Sequence, residues 1–227
     1  MRSVNGARDR DIGPVWDEKI PSMAFIVFEG LDGAGKSTLI NKLAERLEQS
    51  SEEVVLTREP GGTELGDEIR ELLLRVEGED PTPLAELMLY EAGRAQHVEV
   101  KIKPALERGA WVICDRFTGS SVAFQSGGRQ MSPELIEKLN DIATSSLQPE
   151  VIVLLDLSVE EAMKRMQGRE LDRFELEKQD FHNRVRQSYL DQAQKDPKRW
   201  LVLDASHTVE ELIEELFTGL KEKKCLK

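Results

Sequence analysis

A chain of 227 residues is long enough for one well-buried α/β domain, and no composition break marks a second. A formal net charge of −12, with 33 % charged residues, argues against holding a nucleic acid or a membrane surface by bulk electrostatics, so any anionic ligand needs a local basic cluster. Two cysteines, Cys114 and Cys225, are too few for a disulfide framework, and no apolar run is long enough to span a bilayer, which together predict a cytoplasmic protein.

Residues 1–22 lack the apolar core of a secretory leader and carry Asp9, Asp11, Asp17 and Glu18, so they are expected to form a loose arm ahead of a single domain over 23–227. Phe25 to Phe28 then reads as a short buried strand. Gly30-Leu31-Asp32-Gly33-Ala34-Gly35-Lys36-Ser37, followed by Thr38, fits the phosphate-loop spacing, and Leu39, Ile40, Leu43 and Leu47 recur at helical spacing to about Gln49. In that strand–loop–helix setting the loop's N–H groups cradle a phosphate at the positive helix end. Lys36, on a solvent-facing loop, reaches the outer phosphates of a nucleotide, and the Ser37 hydroxyl binds Mg²⁺.

Val54 to Thr57 reads as a second strand bounded by Pro60-Gly61-Gly62, and Thr63 to Leu74 as a helix through Leu65, Ile69, Leu72 and Leu73. A second long helix runs from Leu84 to about Val98, with Pro104 breaking or kinking whatever continues. Trp111 to Asp115 is a third strand. Ser132-Pro133 starts a helix with a cap and a proline at its first position. Val151 to Leu157 is apolar enough for a strand covered on both faces, and Ser158 with Glu161 forms a capping box for a helix to Met166. A charged helix from Glu175 to about Lys195, a strand Trp200 to Leu203 and a helix Val209 to Leu220 complete a doubly wound, five-stranded parallel α/β sheet, with ligands outside the carboxyl strand ends.

That rule brings the residues after each strand to one crevice. Arg58 and Arg116 converge there, and two guanidinium forks beside a phosphate loop point to a second phosphorylated substrate. Asp115 either helps hold Mg²⁺ through water or orients Arg116. A monophosphate acceptor, whose second pKa is about 6, needs no general base, so clamping and charge neutralisation suffice. Lys164, Arg165, Arg169 and Arg173 crowd a segment around Gly168. On spacing alone this is a solvated face; in a phosphotransferase it is what a closing lid would use, about residues 164–175.

Over Met23 to about Leu220 these residues resemble the bacterial thymidylate kinases, in FEGLDGAGKST, TREPGGT at Thr57–Thr63, EIRELLL at Glu68–Leu74, CDRF with SS-x-A-F-Q at Ser120–Gln125, and ELDRFE at Glu170–Glu175. The resemblance implies a P-loop kinase fold, Mg²⁺-dependent phosphoryl transfer from ATP to dTMP on the route to dTTP, and a homodimer. It places Arg58, Arg70 and Arg116 around the acceptor phosphate and Glu59 at the sugar end. Thymine would lie against Tyr90, Arg94 would meet a ring carbonyl, and Ser121 and Gln125 would sit near base and sugar. The family more often has Phe at Tyr90 and Tyr at Phe124. Some members carry an arginine at Gly33, so here a catalytic cation is expected from Arg165, Arg169 or Arg173, which share one face if the helix persists.

Two other readings compete. A nucleoside kinase would use Glu29 or Asp115 as a base but leave the arginines without an acceptor phosphate. A guanine-reading switch needs Asn-Lys-x-Asp after a late strand, whereas Asn41-Lys42 lies in the first helix and is followed by Leu43-Ala44.

Overall fold

Each of the five strands ends on a charged residue at the same edge of the sheet. They are β1 (Phe25–Glu29), β2 (Val54–Arg58), β3 (Trp111–Asp115), β4 (Val151–Asp156) and β5 (Trp200–Asp204), all parallel, in the order β2-β3-β1-β4-β5. The computed structural model describes residues 25–50, 52–168 and 170–223. The expected arm at 1–22, Cys225 and Arg169 lie outside them. Central β1 and β4 are buried on both faces, as their unbroken apolar runs require, whereas edge strand β2 leaves Leu56 exposed. Burying Phe25, Ile26, Phe28 and Ile113 contributes about 1.5–3 kcal/mol for each side chain.

Helices cover the sheet: α1 (Lys36–Gln49), α2 (Glu64–Leu74), α3 (Pro83–His97), α4 (Lys103–Glu107), α5 (Thr118–Ser121), α6 (Pro133–Thr144), α7 (Val159–Arg165), α8 (Gln179–Lys195) and α9 (Val209–Glu222). Hydroxyl caps start several of them, including Thr63, Ser132 and Ser158. The Ser158 side chain accepts from Glu161 N–H as expected, but the reciprocal capping box forms instead at Thr208 and Glu211, while Glu161 lies 3.6 Å from Lys164.

Ahead of Pro104 the regular α-helix gives way to a π-helical turn over Val98–Ile102, in which Lys103 N–H reaches Val98 C=O, and α4 follows. The wide turn takes up the strain that a proline imposes on the carbonyl four residues back. The charged helix begins at Gln179 rather than Glu175. The residues before it are held by a local turn in which Asp172 Oδ1 accepts from Phe174 and Glu175 N–H. Between β3 and α6, where no helix is expected, α5 runs into a second π stretch, Val122–Gly128. A Cβ at Gly128 would come within 2.4 Å of the Phe181 ring, so this stretch packs against α8 only because residue 128 has no side chain.

Candidate active site

The loop after β1 delivers Gly35, with φ 96°, as the N-cap of α1, so the first N–H groups of the helix face the crevice. Lys36 is buried rather than solvent-facing. Its ammonium donates to the Gly30 and Leu31 carbonyls at 3.2 and 3.1 Å and lies 3.8 Å from Asp32. Burial, reinforced by the Arg116 charge, pushes it below the usual lysine range, while Asp115 and Asp32 oppose the shift. Gly33 has φ 82°, and a Cβ there would stand 2.8 Å from the Ala162 carbonyl of α7, so the loop has no room for a longer side chain at this position.

Ser37 and Asp115 line one open cleft with Thr57 and Arg58. Asp115 Oδ1 is buried without a hydrogen-bond partner and lies 4.0 Å from Lys36 Nζ. Among the described residues no group of three or more His, Cys, Asp or Glu gathers as a metal site. An orphaned carboxylate oxygen beside an exposed hydroxyl nevertheless fits Mg²⁺, which takes one or two protein oxygens and completes its shell with phosphate and water.

A second, more enclosed pocket is lined by Glu59, Arg70, Tyr90, Arg94, Arg116, Ser121 and Gln125, which brings together seven residues expected at the acceptor. Arg116 joins the two sites, donating to Asp32 Oδ1 at 2.9 Å on the loop side, and to Tyr189 Oη at 3.0 Å and Ser120 Oγ at 3.2 Å on the pocket side. Burial opposes its charge, but Asp32 with Asp115 and Glu29 outweighs burial and holds its pKa well above the usual range. Arg70 donates to the Pro60 carbonyl at 3.0 Å and is lowered by burial and by Arg58. Arg58 itself does not line this pocket. It is largely exposed, 3.7 Å from Asp67 in the outer cleft, because edge strand β2 leaves its end uncovered.

The upper half of the pocket is more tightly wired than spacing suggests. Arg94, 1 % exposed, donates through Nε to Glu59 at 2.8 Å, through Nη1 to Glu91, Ser121 and Asn140, and through Nη2 to the Phe117 carbonyl. Of its five N–H groups, at most one on Nη2 is left to meet a base. Burial works against its charge, but Glu59 and Glu91 prevail and raise its pKa. Glu59 is fastened at its other oxygen by His97 Nδ1 at 2.9 Å, and His97 Nε2 meets Thr57 Oγ1 at 2.6 Å. Ser121 is turned to Glu91 at 3.1 Å. Tyr90 stands edge-on to Phe174, and burial, then Glu86, raises its phenol.

Glu29 is unsuited to the role of base. Both oxygens accept hydrogen bonds, from Phe117 and Ser120 N–H at 3.0 Å, Ser120 Oγ at 2.6 Å and Tyr189 Oη at 2.9 Å, and burial raises its pKa. It holds the turn after β3 that aims Arg116. Asp32, expected at the donor phosphates, lines this pocket as well; Ser120, Asp172 and Phe174 line it too and are not among the expected site residues, although ELDRFE contains two of them.

The basic segment does not keep one face. α7 stops at Arg165, and Gly168 follows with φ 86°. Arg165 donates to the Ala205 carbonyl at 2.9 Å, whereas Arg173 donates to the Leu73 carbonyl at 3.1 Å, pairs with Glu86 at 2.8 Å and stacks on Phe174.

A family model described as thymidylate kinase matches residues 28–216. A thymidylate kinase of Bdellovibrio bacteriovorus is 53 % identical over 210 residues, covering 90 % of this chain and 98 % of that protein. One from Hahella chejuensis is 46 % identical over 200 residues, covering 88 % and 96 %. A crystal structure of thymidylate kinase from Ehrlichia chaffeensis aligns with a TM-score of 0.71 at 34 % identity, over 88 % of this chain and 99 % of that one.

Proposed function

The chain belongs to the thymidylate kinase family and converts dTMP to dTDP; we propose that ATP is the phosphoryl donor, Mg²⁺ its companion, and a cytoplasmic homodimer the working form. The observation that carries this reading is the guanidinium of Arg116, which lines the acceptor pocket with Ser120, is backed by the buried Tyr189, and reaches the phosphate loop at Asp32.

The acceptor phosphate is largely dianionic at neutral pH, with a second pKa of about 6, so its oxygen needs no base. The work of the protein is positioning and charge neutralisation. Lys36 and the N–H groups at the start of α1 hold the donor phosphates; Arg116 and Arg70 hold the acceptor phosphate, with Arg58 adding charge from the outer cleft. Ser37 and Asp115 would hold Mg²⁺, which when bound neutralises donor phosphate oxygens. Tyr90 and Phe174 give the base an apolar wall, and the remaining Nη2 hydrogen of Arg94 suits a ring carbonyl. A transition-state cation comes from Arg165 or Arg169 of the basic segment, since Gly33 supplies none and Arg173 is paired with the Glu86 carboxylate, whereas Arg165 donates to a neutral carbonyl at Ala205. For the dimer, the support is a set of exposed apolar side chains on neighbouring α2, α3 and α6, among them Leu72, Leu84, Met88 and Ile142.

The test is ADP release from ATP and Mg²⁺ with a panel of nucleoside monophosphates. The highest kcat/KM should fall to dTMP, and comparable values for dAMP or dGMP would overturn the acceptor assignment.

A further inference from the structure

Glu86 opens α3 outside the residues assigned above, yet its carboxylate is the meeting point of three chain segments. It is 1 % exposed. Oε1 accepts from Gln125 Nε2 at 3.0 Å and Arg129 Nε at 3.3 Å; Oε2 accepts from Arg129 Nη2 at 3.2 Å and lies 2.8 Å from Arg173 Nη2. A carboxylate has about four lone-pair sites, and four N–H-bearing groups converge on this one.

We propose that Glu86 is a positioning residue that fixes the polarity of Gln125 and so makes the pocket read an N–H on the acceptor base. Placed between two guanidinium groups, the carboxylate offers acceptors only. Were the Gln125 amide turned over, its carbonyl would face a carboxylate oxygen about 3.0 Å away, with no proton between them and too little separation for a bridging water. The amide nitrogen therefore faces Glu86, and the Gln125 carbonyl is left for the pocket that Gln125 lines. A carbonyl selects a base with a ring N–H flanked by carbonyls, as in thymine and uracil. Cytosine presents a lone pair there and is rejected. The proposal deepens the dTMP reading and rests on it.

The experiment compares kcat/KM for dTMP and dCMP in the full chain and in Glu86→Gln and Glu86→Asp. A carboxamide at 86 can donate or accept, which frees Gln125 to turn; the dTMP/dCMP ratio should fall by about tenfold or more in Glu86→Gln, mainly through KM. Glu86→Asp keeps an acceptor-only group and should hold the ratio within about threefold. An unchanged ratio in Glu86→Gln, or equal loss in both variants, overturns the proposal. Should Glu86→Gln not fold, the wild type still decides: the Gln125 side-chain amide protons should exchange slowly by NMR, and exchange at the rate of free glutamine overturns it. Absence of dTMP turnover in the wild type would instead sink the acceptor reading and the proposal with it.

Discussion

Arg116 and Asp32 share a charge-assisted hydrogen bond of 2.9 Å that ties the acceptor pocket to the phosphate loop. A lysine at 116 keeps the charge but cannot reach Asp32, Ser120 and Tyr189 at once. Arg116→Lys should lower kcat by about a hundredfold or more while leaving the unfolding midpoint within a few degrees. Steady-state kinetics with thermal melts on the same sample check it; near-normal kcat would remove Arg116 from the centre of the site.

Lys36→Met should fold and transfer little phosphate. Lys36 is buried, but methionine nearly matches its stem and gives up hydrogen bonds to two loop carbonyls together with the longer ion pairs to Asp32 at 3.8 Å and Asp115 at 4.0 Å. Loss of the fixed charge should reduce kcat by about 10²–10³-fold. A soluble variant with wild-type turnover would contradict the phosphate-loop assignment.

Alanine substitutions should separate the basic segment into two roles. Arg173, bound to Glu86 and stacked on Phe174, should affect KM for dTMP more than kcat. Arg165→Ala or Arg169→Ala should depress kcat by about a hundredfold or more with modest change in ATP KM, as a contact made mainly in the transition state would. Near-normal kcat in the Arg165/Arg169 double variant would mean the segment carries no catalytic cation.

His182 gives the pH dependence a sign. Burial lowers its pKa below 6.5, and its Nε2 is buried without a hydrogen-bond partner. Just below pH 6.5 the unfolded chain therefore binds a proton that the native protein resists, and stability falls as pH drops through that window. Urea unfolding at pH 7.5 and 5.5 should show the wild type losing more stability than His182→Phe, by up to about 1.4 kcal/mol per pH unit. Equal losses would show that the imidazole is not the group responsible.

Met88→Asp should convert the proposed dimer to monomer. The side chain is about half exposed on α3, so the charge costs little in an isolated protomer but a great deal within an apolar interface. Sedimentation velocity checks it, and a wild type that sediments as a monomer would refute the assembly.

The elements that were legible in the sequence are those with local causes. Phe25 to Phe28, the glycine spacing through Gly35 and the apolar period from Leu39 to Leu47 each specify their own conformation, and the parallel sheet follows from their alternation. Gly168 carries a local signal too, a glycine just past a helix end, and the shared face of Arg165, Arg169 and Arg173, which required the helix to persist, is lost because α7 stops at Arg165. Arg94 shows the limit of spacing. One turn beyond Tyr90 places it at the pocket, but its engagement depends on Glu59, on Phe117 and Ser121 at either end of α5, and on Asn140, which come from three other parts of the chain. Glu86 was hidden for the same reason: in sequence it is one more acid in the first turn of a helix.

The wide turn at Val98–Ile102 has a mechanical consequence. With Pro104 accommodated, Pro83 to Glu107 is a continuous run of helical turns, a strut that carries Glu86, Tyr90 and Arg94 and joins β3 through a turn at Gly109. On this strut Glu86, Tyr90 and Arg94 are held by helical hydrogen bonds, whereas across the pocket Asp172 and Phe174 sit on short turns, so the two banks are built with unequal stiffness.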